Sequence, residues 1–425
     1  MAKILPRPWK DLPADLLVEI PRCLPCLVDH VYMSSVCHDW WVAVPKPPHL
    51  HKLPWLLLPN PTTTPLSLPP VPESMRMASF YCILDNGSTH NLRIRHDVGG
   101  AHFFGSYDGG WIFLALGQTN HHTLLNLHTN QHFPLPNSIS VGFVGRYVQN
   151  PISMVILSAT LSSSPMTNTE CFGAAIVDLN FLPHASPRTQ LSFWRLDGAN
   201  HHRPVAMGFI GNCLDPWSRF EDVIHHKGAF HFLTDTEHVI AYNILNFQEG
   251  VWLEVGVHRY YFQRRSPHNS NVIVTARYLV ESRGELLMVM RLVTFCPGHV
   301  VSLQAGAFQV YRMMQHLNNA GLVVLTWEEL PKLDERMLFI ARGRSRSYEV
   351  ADCPGYGFQD GIYFLDDATS NCVEVMVQHP PFRRYTYNDN GRYRWVDVTP
   401  PRQDFQRWFP DKEQSNYSSP IWFLP

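Results

Sequence analysis

Three histidine pairs, one CxxC, one acidic doublet and one arginine-rich run are the residues of this chain whose types and spacing bear on chemistry. The pairs are His121-His122, His201-His202 and His225-His226. Imidazole is a common metal ligand, yet neighbours in a strand point to opposite faces, so a pair does not readily chelate one ion. With 23 histidines in the chain, adjacency arises without a site. Cys23-Leu24-Pro25-Cys26, taken with His30 and Cys37-His38, supplies four zinc ligands on paper. A structural zinc site usually shows two well-spaced ligand pairs, and no second CxxC follows. A catalytic dithiol would need a thioredoxin-like strand and helix around it, and that pattern is missing. No metal site is expected.

Asp366-Asp367 follows an apolar run. Paired carboxylates can divide general acid and base work. At a strand-to-turn junction, however, Asp is favoured for its local hydrogen bonds. Arg342-Gly343-Arg344-Ser345-Arg346 has the charge to hold phosphate or nucleic acid, or to direct nuclear import. Its plainer reading is a hairpin that exposes one charged face. No GxSxG, P-loop or dinucleotide fingerprint occurs. The expectation is a protein without a catalytic constellation and without a cofactor.

The elements that must position these residues follow from composition. The chain has 425 residues, 45% of them apolar and only 16% charged, against about 25% charged in an average domain. That length gives a soft prior of two or three domains, and disorder is excluded. Lys plus Arg (34) and Asp plus Glu (36) leave a net charge of -2, which gives no global pull toward nucleic acid or an anionic membrane. Thirty-four prolines and 12% aromatics favour many short strands over long helices. No secretory h-region stands near residue 1 and no run reaches 18 apolar residues, so a cytosolic or nuclear protein with reduced cysteines is expected.

The first fifty residues differ from the rest. Leu12, Leu16 and Ile20 repeat at spacing four behind Pro13, with Leu17 and Leu24 at the edge of the stripe. Val28, Tyr32, Val36 and Trp40 repeat in the same way around Asp29. Two or three short helices cannot enclose a stable core alone. Trp9-Lys10-Asp11-Leu12-Pro13-Ala14-Asp15-Leu16-Leu17-Val18-Glu19-Ile20, then Leu24 and Ser35-Val36-Cys37-His38-Asp39-Trp40, resemble an F-box. The resemblance implies docking onto the Skp-family adaptor of a Skp–cullin–F-box ubiquitin ligase. It assigns that contact to Leu12, Pro13, Leu16, Leu17, Ile20, Leu24, Val36 and Trp40. It also gives Cys37 an apolar place rather than a metal. The pattern departs at Pro21 and Pro25, and at His38 and Trp41, where basic residues are common.

Ten prolines between Pro45 and Pro72 read as a semi-rigid connector, with Trp55-Leu56-Leu57-Leu58 as one possible strand inside it. After about residue 80, short β-rich runs alternate with turns. Leu124-Leu125-Asn126-Leu127 and His132-Phe133-Pro134-Leu135 flank Thr129-Asn130-Gln131; Tyr278-Leu279-Val280 and Leu286-Leu287-Met288-Val289 flank Ser282-Arg283-Gly284. Later runs include Leu338-Phe339-Ile340, Tyr348-Glu349-Val350, Ile362-Tyr363-Phe364-Leu365 and Val373-Glu374-Val375. Hairpins recurring at such intervals fit a propeller better than a sandwich. Ser106-Tyr107-Asp108-Gly109-Gly110-Trp111, Tyr278-Leu279-Val280-Glu281-Ser282, the run from Leu338 to Ser347 and Gly361-Ile362-Tyr363-Phe364 resemble the plant F-box-associated β-propeller domain, kelch-like or KIB-type. Ile421-Trp422-Phe423-Leu424-Pro425 is similar to that family's end, and a strand there would close the ring.

The expected architecture is a small all-α F-box module (1–45), a proline-rich linker (46–74) and an all-β, kelch-like propeller (75–425). The resemblance implies a substrate-recognition subunit, itself non-catalytic, whose partners are a Skp-family adaptor, through it a cullin-RING ligase, and a client protein. Nucleic acid and membranes are not expected partners. Two alternatives stay open: a ligand-binding or enzymatic propeller whose F-box only controls its turnover, and a scaffold with a degenerate F-box. Client contacts are expected on turn-rich stretches 201–220 and 258–271, at Trp217, Arg259, Tyr260 and Tyr261. Aromatic residues and arginine are enriched at interface hot spots.

Overall fold

Strands of this chain turn back on themselves where two consecutive residues accept a positive φ. His102–Tyr107 pairs antiparallel with Trp111–Ala115 across Gly109 and Gly110, at φ 82° and 84°. Phe220–His226 pairs with Ala229–Thr234 across Lys227 and Gly228, and Val272–Ser282 pairs with Glu285–Thr294 across Arg283 and Gly284. Two positive φ values in a two-residue loop match the right-handed twist of the strands they join. The computed structural model describes residues 12–23, 32–43, 53–59, 77–81, 89–93, 100–143, 146–147, 151–166, 170–179, 189–196, 203–209, 219–249, 252–262, 272–294, 307–317, 323–353, 358–380, 382–396, 402–406 and 414–424.

These hairpins build six sheets. Numbered from the blade that holds Trp55–Leu58, their inner edge strands are, in order, Ile421–Phe423, His102–Tyr107, Val155–Leu161, Phe220–His226, Val272–Ser282 and Arg346–Glu349, side by side around a central channel. The fold is a six-bladed β-propeller. An apolar cluster fills each joint between blades: Trp111, Phe113 and Trp194 between the second and third, for example, and Phe339, Tyr363 and Trp422 between the sixth and first. Side chains point alternately to the two faces of each blade, so blades buried on both faces read as unbroken apolar runs such as Trp-Ile-Phe-Leu-Ala. The third sheet has seven strands, one pair of them parallel. In the sixth, the chain turns inward to lay down Arg346–Glu349 before it returns, which leaves Arg336–Ile340 parallel to Gly361–Phe364.

The ring closes as the C-terminal run implied. Ile421–Phe423 pairs antiparallel with Trp55–Leu58, which pairs in turn with Met77–Tyr81. Trp422 is fully buried, and its indole Nε1 donates to the Ile340 carbonyl of the sixth blade at 3.1 Å. This corrects the boundary drawn from prolines. Trp55–Leu58 lies inside the first blade with all four side chains buried, so a linker running to residue 74 is too long. A strand apolar at every position needs a partner on each side, and Pro54 and Pro59 only mark its ends. A second correction concerns Val373-Glu374-Val375, which forms one helical turn, Val373–Met376, and not a strand. Burial of Met376 against Val155 and Tyr385 overrides the β-branched preference there.

At the N-terminus, helices Ala14–Cys23 and His38–Ala43 pack against each other. Leu17 and Met33 are 2% and 4% exposed, while Leu16 and Val36 are 51% and 55% exposed. Among the described residues, no helix is long and apolar enough to cross a membrane.

Candidate functional site

The channel is not empty. The turn at residues 341–345 leads from Arg336–Ile340 into Arg346–Glu349 and enters the interior of the ring. Gly343 sits there at φ 74°, and a Cβ on it would come within 2.6 Å of Ser158 Oγ and 2.7 Å of the Ala159 carbonyl. Only glycine fits so close to the backbone of the third blade. The Gly343 amide donates to the carboxylate of Asp222 in the fourth blade. That carboxylate also accepts from the amides of Val223 at 2.8 Å and Leu279 at 2.7 Å, the latter in the fifth blade. Burial pushes Asp222 up to about 7, against the pull of these three amides.

The arginine run follows neither sequence reading. Arg344 is 6% exposed inside the channel, where desolvation brings it down to about 10. Arg342 reaches Asp367 at 3.8 Å, and Arg346 holds both oxygens of Asp108 at 3.2 and 3.0 Å. A hairpin with one charged face was expected; this turn carries its charges inward because the sixth blade feeds its inner strand from the outside.

The acidic doublet is structural. Asp366 makes one local bond of the kind expected at a strand-to-turn junction, from the Ala368 amide at 3.3 Å, and otherwise accepts from the more distant Thr386 Oγ1 at 2.9 Å and the Asn388 amide at 2.8 Å. Asp367 instead accepts from the Tyr278 hydroxyl at 2.7 Å and from Arg291 at 3.0 Å, and Arg291 also pairs with Asp389. The histidine pairs split as strand neighbours should. His121 is exposed, while His122 is buried with its Nδ1 2.9 Å from the Pro136 carbonyl. His226 packs 3.1 Å from Glu281, and His225 borders the channel mouth. His201 and His202 lie outside the described residues, as do Cys26 and His30 of the CxxC set. Among the described residues, no three His, Cys, Asp or Glu side chains are grouped to hold a metal ion.

Where the inner strands end, the mouth holds a cavity of about 420 Å³. Its wall includes Tyr107 and Asp108 of the second blade, Glu281 and Arg283 at the first turn of the fifth, and Arg346, Tyr348 and Glu349 of the sixth. Ser345, at the end of the inserted turn, lines it too, and the Ser282 and Ser347 hydroxyls meet at 2.9 Å.

The client residues named from sequence lie elsewhere. Arg259 and Tyr260 end the outermost strand of the fourth blade, Trp252–Tyr260, and do not form a turn at the mouth. The strand runs that far because Val255 and Val257 pack on the third-to-fourth joint while Glu254 and His258 face outward. Tyr260 stacks on His231 (6.2 Å, 7°), and Phe262 stacks on Trp327 of the fifth blade (4.3 Å, 18°). Arg259 is exposed, Tyr261 is 56% exposed, and Trp217 lies outside the described residues. Of the adaptor set, Leu16, Val36 and Pro13 are exposed, Leu12, Ile20 and Trp40 are half-buried, Leu17 is interior, and Leu24 lies outside the described residues.

Asp222 and Gly343 were missed in the sequence. Each left a signal: an acidic pair, Glu221-Asp222, opening an apolar strand, and a glycine between two arginines.

A six-bladed propeller with a filled channel is the class that this architecture defines. Residues 77–394, about three quarters of the chain, match the KIB1-4 beta-propeller, and the chain belongs to that family. Among solved structures it is similar to the major allergen Mala s 1 of Malassezia sympodialis, at 9% identity over 69% of this chain and 85% of that one, with a TM-score of 0.23. A likeness of that size carries no argument. No curated protein matches the chain at a significant level.

Proposed function

We propose that this protein is the substrate-recognition subunit of a Skp–cullin–F-box ubiquitin ligase, in which the N-terminal helices dock on a Skp-family adaptor and the propeller captures a client. The observation that carries the reading is the split exposure of the helical module. Leu17 and Met33 supply its small interior, while Leu16 (51%) and Val36 (55%), which the F-box resemblance assigns to the adaptor, face solvent. Exposed apolar side chains on so small a module support an interaction surface. Membership in the KIB1-4 beta-propeller family agrees with a propeller that binds other molecules. The subunit makes and breaks no bond of its own. It raises the rate of ubiquitin transfer by holding client lysines at high effective concentration near the charged enzyme.

The test is co-purification of the full chain with a Skp-family adaptor, and then with a cullin, from a reconstituted mixture. Stoichiometric capture is expected. No capture at micromolar concentrations would remove the ligase reading and leave a propeller scaffold.

A further inference from the structure

We propose that the mouth cavity is the client-capture site and that it takes arginine or lysine side chains of an extended client segment. The inference rests on the recognition-subunit reading above. The cavity, about 420 Å³, falls in the range of roughly 300–1,000 Å³ typical of ligand sites. Its ionisable wall is unbalanced: Asp108, Glu281, Glu349 and Asp352 face it with only Arg283 and Arg346.

Neither arginine is available to an anion. Arg346 donates to both oxygens of Asp108. Arg283 donates to both oxygens of Glu349, at 2.9 and 2.6 Å, and to the Asp334 carbonyl at 2.8 Å. Glu281 is about half exposed, with the His226 ring 3.1 Å away and His225 also near it. His225 does not offset the excess, because burial disfavours its charged form. Asp334 and Glu335 also lie beside Arg283, with Asp334 offset by Lys332 at 3.2 Å and Arg336 at 4.0 Å, so the excess of negative charge comes from the cavity wall itself.

A concave mouth lined by one sign of charge concentrates the opposite sign. Tyr107 and Tyr348 border the same space, and tyrosine rings attract guanidinium and ammonium groups. Carboxylates together with aromatic rings form the chemistry that recognises a basic side chain. A phosphopeptide or nucleic acid would meet a net negative wall whose guanidiniums are already held.

The experiment uses the full chain and fluorescein-labelled ten-residue Gly/Ser peptides carrying three arginines, three lysines or three glutamates, followed by fluorescence anisotropy at low salt. Binding of the arginine and lysine peptides is expected, with the glutamate peptide at least tenfold weaker. Glu281→Gln combined with Asp352→Asn should weaken the basic peptides at least tenfold with an unchanged melt. Arg283→Gln, which releases Glu349 into the cavity, should tighten them about threefold. Equal binding of the glutamate peptide, or basic-peptide binding indifferent to both variants, would overturn the proposal. Spermine that displaces the peptides at far lower concentration than they bind would overturn the client segment in favour of a small cation. Failure of the adaptor reading shows separately: adaptor capture is then absent, or unchanged by Leu16→Ala with Val36→Ala, while peptide binding stays intact.

Discussion

The amide of Gly343, on the sixth blade, donates to the carboxylate of Asp222, on the fourth. Because Asp222 also accepts from Val223 and Leu279, one side chain joins three of the six blades across the channel. A buried carboxylate is costly unless hydrogen-bonded, and here three amides compensate it. The same contact seats the inserted turn, and the turn brings Ser345 to the wall of the mouth cavity. The channel is therefore blocked within, and the candidate site is a pocket instead of a tunnel.

Gly343→Ala tests this arrangement. The φ of 74° and the 2.7 Å approach to the Ala159 carbonyl both oppose a Cβ, and that backbone atom, unlike the Ser158 hydroxyl, has no rotamer by which to move away. Backbone strain and overpacking together cost about 2–4 kcal/mol. Thermal melting should register a loss of that order. A variant that melts within a degree of the parent would show that the turn sits elsewhere.

Ring closure gives a second prediction. Trp55, Leu56, Leu57 and Leu58 are 4%, 0%, 0% and 2% exposed, and each such burial contributes roughly 1.5–3 kcal/mol. Their sum rivals the whole stability of a domain, about 5–15 kcal/mol. A fragment starting at residue 50 should melt cooperatively and one starting at residue 75 should not. Calorimetry of the two fragments decides the point, and a cooperative melt of the shorter one would place this strand outside the fold.

Much of this architecture was legible in local patterns. Arg283-Gly284 and Gly109-Gly110 marked hairpins because tight turns of two or three residues need positive φ, which is a local property. The closing strand was legible only through resemblance, since three residues at the C-terminus have no periodicity to read. What the sequence hid was long-range. Asp222 and Gly343 are 121 positions apart, and nothing near either names the other. Prolines around Trp55–Leu58 suggested a connector, because proline frequency cannot distinguish a strand's boundary from a strand's absence. Exposure of Arg259 and Tyr261 was anticipated, but the place of Arg259 on an outer strand, with Tyr261 just past its end, depends on a register that only the assembled blade fixes.

Acid should weaken the propeller. His102, His122 and His231 are buried as neutral rings, with burial pushing them down to about 3, 4 and 4. A group held below its unfolded value near 6.5 takes up protons first in the unfolded chain. Its contribution is complete above about pH 6.5 and declines as pH falls toward 4, by about 2 kcal/mol per histidine at pH 5. Asp222, raised to about 7, and Glu221, raised by burial, act in the opposite direction over that range, but burial also lowers His128, His225 and His238, so the histidines outnumber them. Melting temperature should therefore fall between pH 7.5 and pH 5. His102→Phe should reduce that fall, since the ring is fully buried and stacks on Tyr385 at 5.2 Å. An unchanged pH profile in this variant would reassign the acid sensitivity.

The residues at the end of the fourth blade separate into two kinds. Phe262, 5% exposed and stacked on Trp327, joins two blades, so Phe262→Ala should cost about 3–5 kcal/mol. Arg259→Ala with Tyr261→Ala should leave the melt within a degree, since both side chains are exposed. If that pair lowers the melting temperature by several degrees, the outer strand is more deeply packed than its exposure indicates.

Leu16 and Leu17 are adjacent on one helix and should fail differently. Leu17 is 2% exposed, and its truncation to Ala removes core contacts worth about 2–5 kcal/mol, more than a module this small can lose. Leu17→Ala should therefore abolish both adaptor capture and the helical signal of residues 12–43. Leu16, 51% exposed, supports no core, so Leu16→Ala with Val36→Ala should keep the helical signal and weaken adaptor binding at least tenfold. Difference circular dichroism of the full-length variants against the parent and adaptor titration of the same chains together read the two effects. Loss of helix in the Leu16 and Val36 variant would make these side chains structural. Unchanged adaptor affinity with the helix intact would move the docking surface off this face.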